Sequence, residues 1–233
     1  MRAEALAHAD TLEARARQSL GSSNDAIYRM VADALAARGV ARGRLVDVGC
    51  GGGALWRATS GRFDQYCGLD AVRYDGLPAD AEFRQVDLDS SSWPTVDGEA
   101  DVVTAVETIE HLENPWAFVR ALVRIVKPGG WVVVTTPNQL SLLSLVTLFV
   151  KRRFSAFQDS HFPAHRTALL ESDLRRIASS AGLTDIAVAY SHRGRLPLVA
   201  AHFPAAFART FPRALSDNLM VIGRNPRGGE LRA

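Results

Sequence analysis

Residues 45–53 read Leu-Val-Asp-Val-Gly-Cys-Gly-Gly-Gly, a short apolar run that carries Asp47 and ends in glycines. Backbone without Cβ atoms turns sharply and lets a ligand come close. Ala54–Thr59, which follows, is compatible with a helix. The glycines therefore stand where a strand hands over to a helix N-terminus. Unpaired N–H groups and the positive end of a helix dipole meet there, and both favour a carboxylate or phosphate. A chain built this way is expected to hold an anionic cofactor group at the top of a parallel sheet.

The spacing of Gly49, Gly51 and Ala54 fits G-x-G-x-x-G/A, which leaves a dinucleotide reading open. Asp47 and Gly53 extend the motif to D-x-G-x-G-x-G, and the later landmarks differ from those of a dehydrogenase. Residues 63–70 read as a second strand ending in Asp70, and 83–88 as a third with Asp87 near its end. Residues 101–107 are predicted as a fourth strand ending in Glu107. Lys127-Pro128-Gly129-Gly130 then leads into a fifth, 131–138, which closes with Thr136-Pro137-Asn138.

In this order the landmarks resemble those of the class I S-adenosylmethionine-dependent methyltransferases, over residues from about 46 to about 182. The resemblance implies an α/β, Rossmann-like, doubly wound sheet, mostly parallel with an antiparallel closing strand and helices on both faces. It implies that Asp47, Gly49, Cys50, Gly51 and Gly53 surround the methionine part of the cofactor. Asp70 would take the ribose hydroxyls, Ala71 or Val72 would pack on adenine, and Asp87 and Leu88 would read its amino group and N1. S-adenosyl-L-methionine, released as S-adenosyl-L-homocysteine, is thus the expected cofactor. Its carboxylate, ribose hydroxyls and adenine include no phosphate for these acids to repel.

The length of 233 residues suits one methyltransferase domain. Within it, residues 1–40 are expected to form a helical flank or lid, 41–190 the cofactor-binding core, 140–165 and 193–216 substrate-side inserts, and 225–233 a flexible tail. A net charge of +2 is too small to imply a nucleic-acid partner. Cys50 and Cys67 lie in strand-like segments, which predicts reduced thiols and a cytoplasmic setting. Residues 1–20 are charged throughout and do not read as a signal peptide. Helices are predicted over 4–20, 24–38, 172–181 (stopped by Gly182) and from Asn114 as N-cap and Pro115 at N1 to about Val126. Residues 183–190 and 218–223 read as strands. Residues 193–216, rich in Pro, Ala and Phe, match no element.

Glu107-Thr108-Ile109-Glu110-His111 follows the fourth strand. On a helical turn Glu107, Glu110 and His111 stand at i, i+3 and i+4 and share one face. Two carboxylates and an imidazole can hold Mg²⁺, Mn²⁺, Fe²⁺ or Zn²⁺. The motif, with Asn114-Pro115 after it, resembles the ubiquinone-pathway O-methyltransferases. It also resembles the small-RNA 3′-terminal 2′-O-methyltransferases, whose metal site adds a later histidine. His165 is the candidate here, and His161 is a less well placed competitor. Glu107, Glu110, His111 and His165 are therefore candidates for a metal site. The expected arrangement is the metal-free one, in which Glu107 lines the methionine pocket and His111 touches substrate or packs, with His111 or His165 able to serve as general base.

Residues 140–150 form an apolar run closed by Lys151, Arg152 and Arg153. It is far shorter than the roughly 20 residues of a membrane span. It reads as a lid helix over an apolar acceptor pocket, or as an element that dips into lipid through 140–154 at the inner face of the membrane. The expected activity is O-methylation of a small or lipophilic hydroxyl acceptor. N- or C-methylation stays open. A nicotinamide-dependent oxidoreductase would need a hydride-transfer pair such as Tyr-x-x-x-Lys, which the chain lacks. A non-catalytic cofactor-binding module at a membrane would bind the cofactor without turnover.

Overall fold

The computed structural model of the chain describes residues 12–14, 16–19 and 21–226. Among these, one sheet has the order β3-β2-β1-β4-β5-β7-β6. Its strands are β1 (Arg44–Val48), β2 (Gln65–Asp70), β3 (Glu82–Gln85), β4 (Ala100–Ala105), β5 (Val126–Pro137), β6 (Thr184–Tyr190) and β7 (Asn218–Arg224). Strands β1 to β5 pair in parallel. The last strand, β7, runs antiparallel to both β5 and β6. The expected mostly parallel sheet with an antiparallel closing strand is therefore present, with that strand wedged between β5 and β6 rather than at the edge. Strand order reverses between β1 and β4, and a crevice opens at the carboxyl ends of such neighbours.

Alternation along the strands sends successive side chains to opposite faces. Val46, Val48 and Val103 pack under Phe118 and Leu122 of α3 (Pro115–Ile125) and Leu174 and Ile177 of α5 (Glu171–Ser180). On the other face Leu45, Val102 and Val133 meet Ile27, Val31 and Leu35 of α1 (Asp25–Ala36) and Leu55 of α2 (Ala54–Ala58). Covering both faces explains why the central strands are almost continuously apolar. As predicted, Pro115 opens α3 and Asn114 caps it, its Oδ1 accepting from Ala117 N–H at 3.0 Å.

Several boundaries differ from expectation. Strand β3 stops at Gln85, so Asp87 lies in the loop beyond it. Lys127–Gly130 belongs to β5, whose pairing with β4 shifts register there. Residues 193–216 hold the isolated pair Arg195–His202 and the short helix α6 (Ala205–Thr210). The run after β5 forms helix α4 (Leu142–Lys151), capped by the Ser141 hydroxyl. The predicted helix over 4–20 is described only in part, at 12–14 and 16–18, where it is helical. The predicted flexible tail lies outside the described residues from 227 onward.

Candidate cofactor and acceptor site

Where β1 ends, Gly49 (φ 74°) and Gly51 (φ 50°) adopt left-handed backbone. A Cβ on Gly49 would stand inside the Thr108 side chain, and one on Gly51 would collide with the Gly21 carbonyl. Gly51 N–H donates to the Asp70 carboxylate at 2.9 Å, joining the ends of β1 and β2. Gly52 N–H donates to Gly21 C=O at 2.8 Å, so the segment ahead of α1 lies directly on the glycine loop.

This loop borders a cavity of about 360 Å³. Of the predicted cofactor residues, Asp47, Gly49, Cys50 and Gly51 line it from the end of β1, and Asp70 and Ala71 from β2. Asp87 and Leu88 line it from the loop after β3, and Glu107 from beyond β4. Gly53 and Val72 do not. Gly53 turns the chain into α2 and faces Leu77, and Val72 is buried away from the cavity. Sequence reasoning had not named Ser19, Gly21, Ser22, Ser23 and Tyr28, which close the near side. The small residues just before the Asn24 cap, which permit close approach to the glycine loop, were the available signal. Leu112, Ser160 and Ala164 were also missed, and nothing in their local pattern marks them.

The cavity is acidic. Its described lining residues include Asp47, Asp70, Asp87, Glu107 and Glu110 and no arginine or lysine. Burial raises the Asp47 carboxyl to about 6, against hydrogen bonds from Thr104 (2.8 Å) and Tyr66 (3.1 Å) that pull it back. Burial likewise raises Asp70, opposed by the amides of Gly51, Ala71 and Val72. Glu107 is held well above the carboxylate range, first by burial and then by neighbouring Glu110. Burial raises Glu110 to about 8, although the Thr136 hydroxyl donates to it at 3.1 Å. Burial is the largest cause of each of these shifts, and a positive charge beside the carboxyls would oppose it.

Behind this acidic wall, Glu110, His111 and His165 each bring one ligand atom within 4.8 Å of the others. His111 Nδ1 lies 2.9 Å from the Ala164 carbonyl and His165 Nδ1 2.6 Å from that of Ala156. A neutral imidazole that gives its Nδ1–H to a carbonyl carries its lone pair on Nε2. Burial, then His111 and His161, lowers His165 to about 4, so that ring is neutral at physiological pH. The rings of His111 and His165 meet edge to face at 4.8 Å, and His161 stacks on His165 at 5.5 Å.

The cluster does not arise on one helical face as expected. Ile109–His111 is a single 3-10 turn, and Glu107 precedes it with φ 50°. The Glu107 carboxylate instead accepts from Thr135 Oγ1 and Asn218 Nδ2, each at 2.7 Å. The structure thus gathers three of the four predicted metal ligands and leaves Glu107 out of that group.

A glycine loop at a topological switch point, with acids at the ends of β1 and β2 and beyond β3, defines a nucleoside-binding α/β enzyme. Residues 23–188 match the family described as methyltransferase domain, and the chain belongs to that family. The ubiquinone biosynthesis O-methyltransferase of Idiomarina loihiensis is 30% identical over 153 residues, which cover 62% of this chain and 63% of that protein. The chain therefore spans less than two thirds of that relative. A SAM-dependent methyltransferase from Archaeoglobus fulgidus has the same fold, with a TM-score of 0.60 at 16% identity over 84% of this chain and 94% of the other. So does the [4+2]-cyclase SpnF, with a TM-score of 0.56 at 21% identity over 86% of this chain and 81% of the other. Fold alone does not name the reaction; the site must.

Proposed function

We propose that the chain binds S-adenosylmethionine in this cavity and methylates a hydroxyl group on a small, partly apolar acceptor. One observation carries the reading: the glycine loop and its surrounding acids form a cavity without a described lysine or arginine. The pyrophosphate of a nicotinamide or flavin dinucleotide would find five acidic side chains there and no lysine or arginine among the described lining residues. S-adenosylmethionine, when bound, supplies a methyl group activated by a sulfonium centre, together with an ammonium group. Asp47 and Glu107 face those positive charges, and the bare backbone of Gly49 and Gly51 leaves room for the amino-acid end of the ligand beside them. Asp70 accepts from the ribose hydroxyls, Ala71 flanks the adenine, and Asp87 and Leu88 meet its edge. The ubiquinone biosynthesis relatives support oxygen as the acceptor atom.

His111, whose Nδ1 is turned to the Ala164 carbonyl, would accept the acceptor's hydroxyl proton at Nε2, while bound S-adenosylmethionine would supply the methyl group and keep the leaving electron pair on its sulfur. His165, held down to about 4, is too weak a base for this step and orients the neighbouring ring instead. The site would contribute mainly position, since near-attack geometry in general requires reacting atoms about 3–3.5 Å apart.

A second reading rests on the Glu110–His111–His165 cluster, whose imidazoles are already oriented by carbonyls. One carboxylate and two imidazoles fit Mn²⁺, Fe²⁺ or Zn²⁺ better than the oxygen-seeking Mg²⁺. A cation held there would lower the pKa of an acceptor hydroxyl.

Peripheral contact with lipid is the remaining element of the proposal. Phe149 and Val150 of α4 are 90% and 70% exposed, beside exposed Lys151, Arg152 and Arg153. No helix among the described residues is long and apolar enough to cross a membrane.

Titration calorimetry tests the cofactor directly: S-adenosylhomocysteine should bind, and NAD binding equally well would end the assignment. EDTA should abolish turnover, and Glu110→Ala should mimic it without changing cofactor affinity, if the metal reading holds. Turnover indifferent to both leaves the metal-free route.

A further inference from the structure

Two more cavities lie beyond the cofactor cavity. The nearer, about 270 Å³, shares Ser23 and Glu107 with it. Ser155 and Ala156 from the first insert and Arg193 and His202 from the second complete its walls. Arg193 and His202 also line a groove of about 710 Å³. That groove lies between α1 and the β6–β7 end of the sheet. The three cavities are therefore neighbours, with Ser23 and Glu107 between the first and the second and Arg193 and His202 between the second and the trough.

The trough has an apolar floor and a basic rim. Ala187 and Ala189 of β6 lie next to Met220 and Ile222 of β7, and the alanines leave the floor low. Arg29, Arg193 and Arg209 stand at the rim, against the single acid Asp33 among the lining residues. Arg29 only approaches Asp25, at 3.8 Å on the exposed surface. Arg193 and Arg209 form no ion pair among the described residues, whereas nearby Arg195 is committed to Asp217 at 2.5 Å and Arg213 to Glu171 at 2.6 Å. Guanidinium groups left uncommitted beside an apolar trough match a ligand with an anionic head and an apolar chain.

We propose that the acceptor is such an anionic amphiphile. Its hydroxyl reaches the Glu107–His111 wall, its phosphate or carboxylate meets Arg193 where the two outer cavities join, and its chain lies along Ala187 and Ala189. This assignment rests on the methyltransferase function proposed above and adds the substrate class.

Calorimetry with dodecyl phosphate, dodecanoate and dodecyltrimethylammonium, each below its micelle-forming concentration, tests it. The full-length protein should bind at least one of the two anions tenfold or more tighter than the cation, and their ratio identifies the preferred head group. Arg193→Gln and Ala189→Leu should each weaken that binding at least fivefold, with S-adenosylhomocysteine affinity unchanged within twofold as the control for folding. Equal binding of cation and anion, or an Arg193→Gln variant that binds like wild type, overturns the proposal. If S-adenosylhomocysteine binds and neither anion does, the substrate class falls alone. If the anion binds through Arg193 but S-adenosylhomocysteine does not, the methyltransferase reading falls and takes the acceptor role with it.

Discussion

The two ends of this site are built from different materials. At the cofactor end, groups come from strand termini and the backbone that joins them: Gly51 donates to Asp70, and Asp47 is gripped by Thr104 and Tyr66. These positions are tied to the sheet and cannot move without breaking its pairing. At the proposed acceptor end, walls come from half-buried Ser155 and Ala156 and from exposed Arg193, Arg195 and His202, all outside the sheet. A rigid half can serve one cofactor while a half made of inserts is free to specialise, as loops on a fixed scaffold generally do.

Substitutions that break the rigid half should have the largest effects. Gly51→Ala forces a Cβ into the Gly21 carbonyl at φ 50°. It should reduce S-adenosylhomocysteine affinity more than 100-fold, read by calorimetry, and destabilise the fold by about 2–4 kcal/mol, read by denaturant unfolding. Asp70→Ala should weaken the same ligand more than tenfold; an unchanged affinity would remove the ribose role assigned to Asp70.

The acids between the two halves predict a pH dependence. Folded Glu110, raised to about 8, keeps a proton that the unfolded chain, titrating at 4.5, has released. Stability of the ligand-free protein should therefore fall as pH rises from 6.5 to 8, by about 2 kcal/mol, and level off above. Glu107 acts in the same direction. His165, lowered from 6.5 to about 4, reduces stability only as pH falls below 6.5. Urea unfolding at pH 6.5 and 8 should show the slope, and Glu110→Gln should remove most of it.

The smallest effects belong to the outer surface of the acceptor half. Phe149→Asp should leave stability within about 0.5 kcal/mol and cofactor affinity unchanged. The same variant should weaken co-sedimentation with anionic liposomes, as should added salt. Liposome binding that ignores Phe149, Arg152 and Arg153 would remove lipid contact from the acceptor half.

Local chemistry made much of this protein legible in advance. The glycine turn, the Asn114–Pro115 helix start, the Gly182 stop and the acid near the end of each early strand depend on residues a few positions apart. A strand, a cap or a left-handed turn is decided over that range. Membership in the methyltransferase-domain family followed from their order. The site's outer half was not readable in this way. Glu107 left the predicted metal group because Thr135 and Asn218, 28 and 111 residues away, hold its carboxylate. His165 joined His111 because loop carbonyls at Ala156 and Ala164 orient the two rings. The basic trough exists only where α1, β6 and the second insert meet. The amino-acid order alone determined the sheet and the methyltransferase-domain family. Which carboxylate faces which imidazole, and where an acceptor can lie, was decided by tertiary packing, because those side chains take their direction from partners far along the chain.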